Sequence, residues 1–373
     1  MKILHLPLWF PNKEDIQLGN FIEKQINLTS LDHAVFTISF HSVANLNKIN
    51  LKVSSSSIAV QYKKHTNRLA TLISYYRAAK LAISKLNQLN FTPDIIHCHV
   101  GGRNLWLADK FFKDKPVVLS EHWSGYLTGE FNKQPLLIRN YLINKINNTD
   151  RLISVSNYLS QGLIKSGIKK PHQEIGNVID VKKKLAVNTL DSFHFLMVAD
   201  FVDEVKNISG LINAYFKVFE TCNGQIKLTI IGDGKDFNFI DNLITNHSNS
   251  AAAKSISLLG RLAQENVQDH LVNADCTVVN SYFETFSMIC LESILTGCPV
   301  IATKCGGPEQ FINDQNGLLI EKGSLNELAN AMVKMVENKS FYTPVKVRES
   351  LPNNYSKDEI RAQLNKVYLS IKS

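Results

Sequence analysis

Short apolar, β-branched runs alternate with helical stretches along this chain, and the alternation starts over near its midpoint. In the first half "KILHLPLWF", "HAVFTISF", "DIIHCHV", "PVVLSEH" and "RLISVS" read as strands, with helical stretches at 66–89 and 103–113 among them. Ser54–Tyr62 is a further strand candidate outside that rhythm. In the second half "FHFLMVAD" (193–200), "IKLTIIGDG" (226–234), "SISLLG" (255–260), "CTVVN" (276–280) and "PVIAT" (299–303) are strand candidates, separated by helical stretches at 207–221, 236–246, 264–273 and 286–296. Apolar runs without strict polar alternation belong to parallel sheets covered on both faces. A chain of 373 residues exceeds what one core usually organises. The pattern therefore predicts an α/β protein of two doubly wound, Rossmann-like domains, facing each other across a cleft. In such folds ligands sit beyond the carboxyl ends of the strands.

The polar stretch "DVKKKLAVNTLDS" (180–192) reads as a solvated linker, which sets an amino-terminal domain at 1–180 and a carboxy-terminal one at 181–355. In the last segment Ile360, Leu364, Val367, Tyr368 and Ile371 share one helical face, and Ser356 with Glu359 forms a capping box. This helix, 356–373, is expected to pack back on the amino-terminal domain.

Hydrophobic content of 44% and charged content of 20% indicate a globular protein, and no apolar run approaches the roughly 18 residues of a membrane span. "MKILHLPLWFP" reads as a buried first strand and not as a signal peptide. The six cysteines are scattered without a C-x-x-C, as expected of free thiols in a reducing cytoplasm. The net charge of +8 is uneven: residues 1–180 hold 22 Lys and Arg against 12 Asp and Glu, and the remainder holds 19 against 21. Either the first half meets an anionic partner, such as a lipid surface or a phosphorylated acceptor, or its surface is merely basic. No nucleic-acid motif accompanies the charge.

Within "YFETFSMICLES" two glutamates, Glu284 and Glu292, lie eight positions apart, just after a strand and at the start of a helical stretch. If that stretch were wholly helical their Cα atoms would be roughly 12 Å apart. Glycosidase carboxylates sit about 5–9.5 Å apart across one bond, so a shared acid–base pair is the poorer reading. Two acids flanking a helix start, whose free N–H groups favour an anion, suit a ligand with hydroxyls at both ends and phosphates between. A nucleotide-sugar is such a ligand.

The stretch "ETFSMICLESILTGCPVIATKCGGPEQFINDQNGLLI" resembles the signature region of the retaining glycosyltransferases of family 4, with the GT-B fold. "DIIHCH", "RLISVSNYLSQGL", "IGNVID", "KNISGLINAY", "LTIIGDG" and "SISLLGRL" agree in order, and the resemblance covers nearly the whole chain, most weakly over 40–90. It implies transfer of a hexose from a nucleoside diphosphate donor to an acceptor hydroxyl with retention, without a metal or other cofactor. Glu284 takes the place of the glutamate near the donor sugar, and Glu292 that of the glutamate on the nucleotide ribose. Backbone N–H groups of Thr285, Phe286 and Ser287 take the diphosphate, with Lys206 as its cation. His122 resembles the histidine close to the sugar. Gly19 resembles the glycine of the first loop, and Gly260, Arg261 and Leu262 form the loop that tends to hold the base. The acceptor implied is a glycan or lipid-linked intermediate of surface polysaccharide or glycolipid synthesis, reached from the cytoplasm or at the inner face of the membrane.

Two positions depart from the family pattern. The arginine usual six residues before the lysine is Asp200, which would repel a diphosphate unless it points away or Arg261 or Arg103 substitutes. The usual glycine after E-x-F is Ser287, a milder change, since its N–H survives. Other GT-B chemistry, such as epimerisation or hydrolysis of a nucleotide-sugar, and a non-catalytic binding role stay open alternatives.

Three further features have bland readings beside the functional ones. His97 and His99 would share a strand face, but no third metal ligand lies near them in sequence. "GDG" at 232–234 reads as a strand-end turn. Lys63, Lys64, Arg68, Arg77, Lys80 and Lys85, with Tyr62, Tyr75 and Tyr76, form either a basic amphipathic face for anionic lipid or an ordinary exposed helix.

Overall fold

The computed structural model describes residues 1–15, 17–181, 192–351 and 355–372. The chain divides into two compact units, Met1–Val178 with Ser356–Ser373, and Ile179–Tyr355. Most of the expected linker, 182–191, lies outside the described residues.

The first unit is built on an eight-stranded sheet. Its strands are β1 (Lys2–Pro7), β2 (Ala34–Val43), β3 (Asn50–Val53), β4 (Ser57–Lys63), β5 (Ile95–His99), β6 (Val117–Glu121), β7 (Arg151–Ser154) and β8 (His172–Glu174), in the order β3-β4-β2-β1-β5-β6-β7-β8. All neighbours are parallel except β3 and β4, which form an antiparallel hairpin at the edge. The strand expected at Ser54–Tyr62 is β4; β3 and β8 were not anticipated. β8 is three mostly polar residues at an edge, too short to carry a period. The central strand β5, "IIHCH", is buried at every position, as a strand covered on both faces must be.

Helix Lys357–Lys372 belongs to this unit. Its Ile360, Leu364, Val367 and Tyr368 are buried against Ile3, Ile95, Val118 and Ile153 of the sheet. Polar contacts orient it: Tyr368 Oη and His97 Nδ1 are 2.7 Å apart, Arg361 pairs with Asp32, and Arg151 donates to the Ser370 hydroxyl at 3.0 Å. The Ser356 hydroxyl accepts from the Glu359 amide at 3.2 Å, one half of a capping box.

The second unit carries β9 (Phe193–Val198), β10 (Ile226–Ile231), β11 (Ile256–Leu259), β12 (Cys276–Val279), β13 (Val300–Thr303) and β14 (Gly317–Ile320), all parallel, in the order β11-β10-β9-β12-β13-β14. This is the doubly wound order 3-2-1-4-5-6, whose direction of winding reverses between β9 and β12. Helices Ile208–Thr221 and Leu325–Glu337 bury their apolar faces in the main core with Phe195, Ile230 and Val278. β14 carries little signal in the sequence because "GLLI" is only four residues long.

Candidate functional site

The loops leaving β9 and β12 meet at the reversal point of the second sheet. After β9 the chain makes a short helical turn, Asp203–Lys206, then bends sharply at Asn207 (φ 48°) into helix Ile208–Thr221. The loop after β12 is tied to that turn by backbone: the Tyr282 amide donates to the Val205 carbonyl at 2.8 Å, and the Asn280 side chain donates to the Asn207 carbonyl at 2.9 Å. These bonds bring Lys206 Nζ to 2.7 Å from Glu284 Oε1, which also accepts from the Ser281 hydroxyl at 2.8 Å. The side chains of Lys206 and Glu284 retain 22% and 15% of their exposure, so both can still be reached. Desolvation works against the Lys206 ammonium. The Glu284 carboxylate outweighs it, Asp200 adds to the effect, and the Lys206 pKa is raised.

Glu284 is held from the other side as well. Its amide donates to the Cys305 carbonyl at 3.1 Å and its carbonyl accepts from the Gly307 amide at 2.8 Å, a parallel bridge to the "GGPEQ" segment. Gly307 must be glycine for this: a Cβ there would lie 2.6 Å from the Phe286 backbone. The Phe286 side chain is buried against Phe311, with ring centroids 5.8 Å apart, so its ring belongs to the core.

The helix begins later than expected, at Met288 rather than near 286, and runs to Thr296. Ser287 is the cause. It stands in the left-handed region (φ 63°, ψ 78°), which interrupts a right-handed helix. Thr285–Ser287 is therefore an irregular link, and the helix's own free amides start one turn further on. The substitution at the family's glycine position is also less mild than the sequence suggested, since serine adopts this backbone only against steric cost. The Ser287 hydroxyl donates to Cys290 Sγ at 3.2 Å.

Glu292 lies on the second turn of this helix and is 7% exposed. Its Oε1 accepts from Gln264 Nε2 at 3.2 Å, which links it to the start of helix Gln264–Asn273, just past the loop after β11. Gly260 and Arg261 of that loop are exposed and Leu262 is half-buried. A Cβ on Gly260 would meet nothing within 4 Å, so packing does not demand glycine there. Asp200 is exposed, just past the end of β9. "GDG" leaves β10, with the Phe201 amide donating to the Asp233 carbonyl at 2.9 Å, which makes it structural support for the β9 loop. Ser281 and Gln264, which hold the two glutamates, carried no signal in the sequence beyond their neighbourhood.

In the first unit His122 follows β6. It is 6% exposed, packs on Phe21 at 4.9 Å between centroids, and has no hydrogen-bond partner at either ring nitrogen, although Asn177 lies close enough to favour its charged form. Burial dominates and pushes its pKa down to about 3, so the imidazole is neutral near pH 7. The preceding Glu121, which the sequence reading passed over, is wholly buried and shapes the loop: it accepts from the amides of Gly101, His122 and Trp123 at 2.9, 3.0 and 3.1 Å. Burial raises its pKa while those donors oppose the rise. Gly19 (φ 68°) precedes helix Asn20–Thr29, and a Cβ there would lie 2.5 Å from the Trp9 carbonyl oxygen. Its glycine is thus required by the fold of the first loop, whatever else that loop does.

His97 and His99 do share a face of β5, and the pairing of β1 with β5 supplies the third imidazole the sequence did not reveal: His5, Nδ1 2.9 Å from His99 Nε2. The three offer atoms within 4.8 Å of one another. Both nitrogens of His97 are already engaged, by Tyr368 Oη and by Ser120 Oγ at 2.8 Å, so a hydrogen-bonded stack describes the cluster better than a ligand set. Burial pushes His5 down to about 3 and His97 and His99 well below the usual range.

Family models cover both halves of the chain. The one described as glycosyl transferases group 1 matches residues 180–357, and the one described as Glycosyltransferase Family 4 matches residues 28–183. An uncharacterized glycosyltransferase of Methanocaldococcus jannaschii is 28% identical over 76% of this chain and 75% of its own length. The N-acetylgalactosamine-N,N'-diacetylbacillosaminyl-diphospho-undecaprenol 4-alpha-N-acetylgalactosaminyltransferase of Campylobacter jejuni is 28% identical, over 39% of this chain and only 38% of that protein. Among solved structures, HepE of Anabaena in complex with UDP superposes with a TM-score of 0.75 at 16% identity, over 99% of this chain and 100% of that one. At that identity the likeness carries the fold.

Proposed function

The chain belongs to the retaining glycosyltransferases of group 1, family 4, and from that premise we propose that it moves a hexosyl group from a nucleoside diphosphate donor to a hydroxyl of a glycan or lipid-linked acceptor in surface polysaccharide or glycolipid synthesis. The unit Ile179–Tyr355 takes the donor and the basic first unit the acceptor, on the cytoplasmic side of a membrane. The observation that carries this reading is the Lys206–Glu284 pair at the switch point of the second sheet, beside the amino end of helix Met288–Thr296.

Each group then has a task its surroundings suit. Lys206, held as an ammonium by Glu284, places a point charge on the diphosphate and stabilises it as it departs. Glu284 and the loop amides at Thr285–Ser287 grip sugar hydroxyls and phosphate, and Glu292 accepts from the ribose, next to a base held at Gly260–Leu262. His122, buried and neutral, is suited to a sugar hydroxyl. The bond from the anomeric carbon to the diphosphate breaks, the acceptor oxygen bonds to that carbon on the same face, and the acceptor proton passes to the departing phosphate oxygen. No separate protein base is then required, and the protein contributes positioning and electrostatics.

A thermal-shift screen across UDP-, GDP- and ADP-sugars identifies the donor. Transfer from that donor, abolished in Glu284→Gln, is the expected result. Rapid donor consumption without acceptor would indicate epimerisation or hydrolysis instead. Donor binding in calorimetry without transfer, epimerisation or hydrolysis would point to the non-catalytic binding role that Asp200 leaves open.

A further inference from the structure

The first unit carries an apolar groove of about 690 Å3 between three helices, Arg68–Gln88, Arg103–Phe111 and Leu136–Asn147. Its walls include Leu72, Ile73, Tyr76, Trp106, Ile138 and Tyr141. Leu136 and Leu137, at the start of the third helix, are 60% and 84% exposed, and Leu69 on the first is 65% exposed. Side chains of this kind left in water over neighbouring helices mark a contact surface. Of the aromatics noted at 62–76 only Tyr76 serves it: Tyr62 and Tyr75 are buried in the core, a correction to the amphipathic face read from sequence.

Charge distinguishes the occupant. The first helix bears Arg68, Arg77, Lys80 and Lys85 and no acid, and the third bears Arg139 and Lys145 and no acid. The acid of the second helix, Asp109, is neutralised by Lys145 at 2.7 Å. Cations stand on the aromatic walls, with Lys80 Nζ 4.9 Å from the Tyr76 ring centre and Lys145 Nζ 5.7 Å from that of Tyr141. Arg103 lines the groove, anchored by a 2.6 Å hydrogen bond to the Tyr62 hydroxyl. Exposed aliphatic side chains, aromatic rings and basic side chains without free acids match an interface with anionic headgroups over hydrocarbon. A protein partner or second copy would need a complementary acidic, apolar patch. Among the described residues no helix is long and apolar enough to cross a membrane, so attachment would be at the surface.

We propose that these three helices dock the protein on an anionic phospholipid bilayer, with Leu136 and Leu137 inserted and the groove open to an acyl chain. This deepens the reading of a lipid-linked acceptor and rests on it for its purpose, but its test does not involve transfer. Vesicles of phosphatidylglycerol and phosphatidylcholine, and of phosphatidylcholine alone, are floated with the full chain. Binding is expected to the first, weakened by salt, and not to the second. Leu137→Glu, at a position too exposed to matter for folding, is expected to lower the bound fraction about tenfold, and Arg77→Glu with Lys80→Glu to a similar degree. Nucleotide binding by calorimetry should be unchanged in each variant. Equal binding to both vesicle types, no binding by the wild type, or unaltered binding by Leu137→Glu would overturn the proposal. So would a dimer in solution that Leu137→Glu dissolves, which would assign the face to a second copy. Loss of nucleotide binding in the wild type, with vesicle binding intact, would count against the transferase reading alone.

Discussion

Lys206 and Glu284 are 78 residues apart in the chain and 2.7 Å apart at their charged atoms. A half-buried cation and anion in contact restrain each other, so removing either leaves the other poorly compensated. The pair also keeps a positive charge beside the helix start, where two backbone loops converge.

Loss of either member should therefore be costly for transfer. Glu284→Gln and Lys206→Ala are each expected to lower kcat/KM by about 100-fold or more, the scale of removing one preorganised electrostatic group. Steady-state kinetics with the identified donor checks this, with the circular dichroism spectrum as a control for folding. Full activity in both variants would refute the site assignment.

Glu284 and Glu292 should separate by ligand. Glu292→Gln removes a charged acceptor for the ribose and is expected to weaken binding of the free nucleoside diphosphate by about 10- to 100-fold, the worth of one hydrogen bond to an ionised group. Glu284→Gln keeps the ribose contact and should change that affinity less than Glu292→Gln does, while impairing use of the intact sugar donor more. Calorimetric titrations of both ligands decide it, and equal effects of the two variants would contradict the division of roles.

Ser287→Gly should stabilise the second unit. Glycine adopts φ 63° without the steric cost borne by serine, a gain of about 1 kcal/mol less the weak bond to Cys290 Sγ and the greater freedom of glycine when unfolded. The net rise in Tm should be about 2 °C in the corresponding calorimetric transition. A lower Tm would show that the Ser287 hydroxyl matters more than the backbone strain.

Acid should unfold the first unit early. Its buried imidazoles are neutral when folded, with His5 and His122 held at about 3 against an ordinary value of 6.5. Between those values the unfolded chain binds more protons, so stability falls as pH drops below about 6.5 and levels off near 3. Each imidazole contributes at most about 1.4 kcal/mol per pH unit. Glu121 acts in the opposite sense, since its raised pKa favours the folded state as it protonates. Denaturant midpoints from pH 7 to pH 4 should show the fall, and His122→Gln should make it shallower.

The local signals of this chain, periodicity and capping residues, are physical preferences of short segments, and so eleven strands, "DIIHCHV", "CTVVN" and their like, were legible without coordinates. That Glu284 precedes a helix bearing Glu292 was legible too, because both lie within one stretch of twelve residues. What depended on tertiary structure is what sheet order brings together. Lys206 reaches Glu284 because β9 lies beside β12; His5 joins His97 and His99 because β1 lies beside β5; Tyr62 and Tyr75 turn inward because helix Arg68–Gln88 covers the first sheet. The left-handed turn at Ser287 was hidden for a related reason: serine has no preference for it, and the backbone on both sides, held to the "GGPEQ" segment and to the helix, imposes it. Preferences along the chain can be read from the chain, whereas contacts between distant segments arise only when the whole core forms and selects one arrangement.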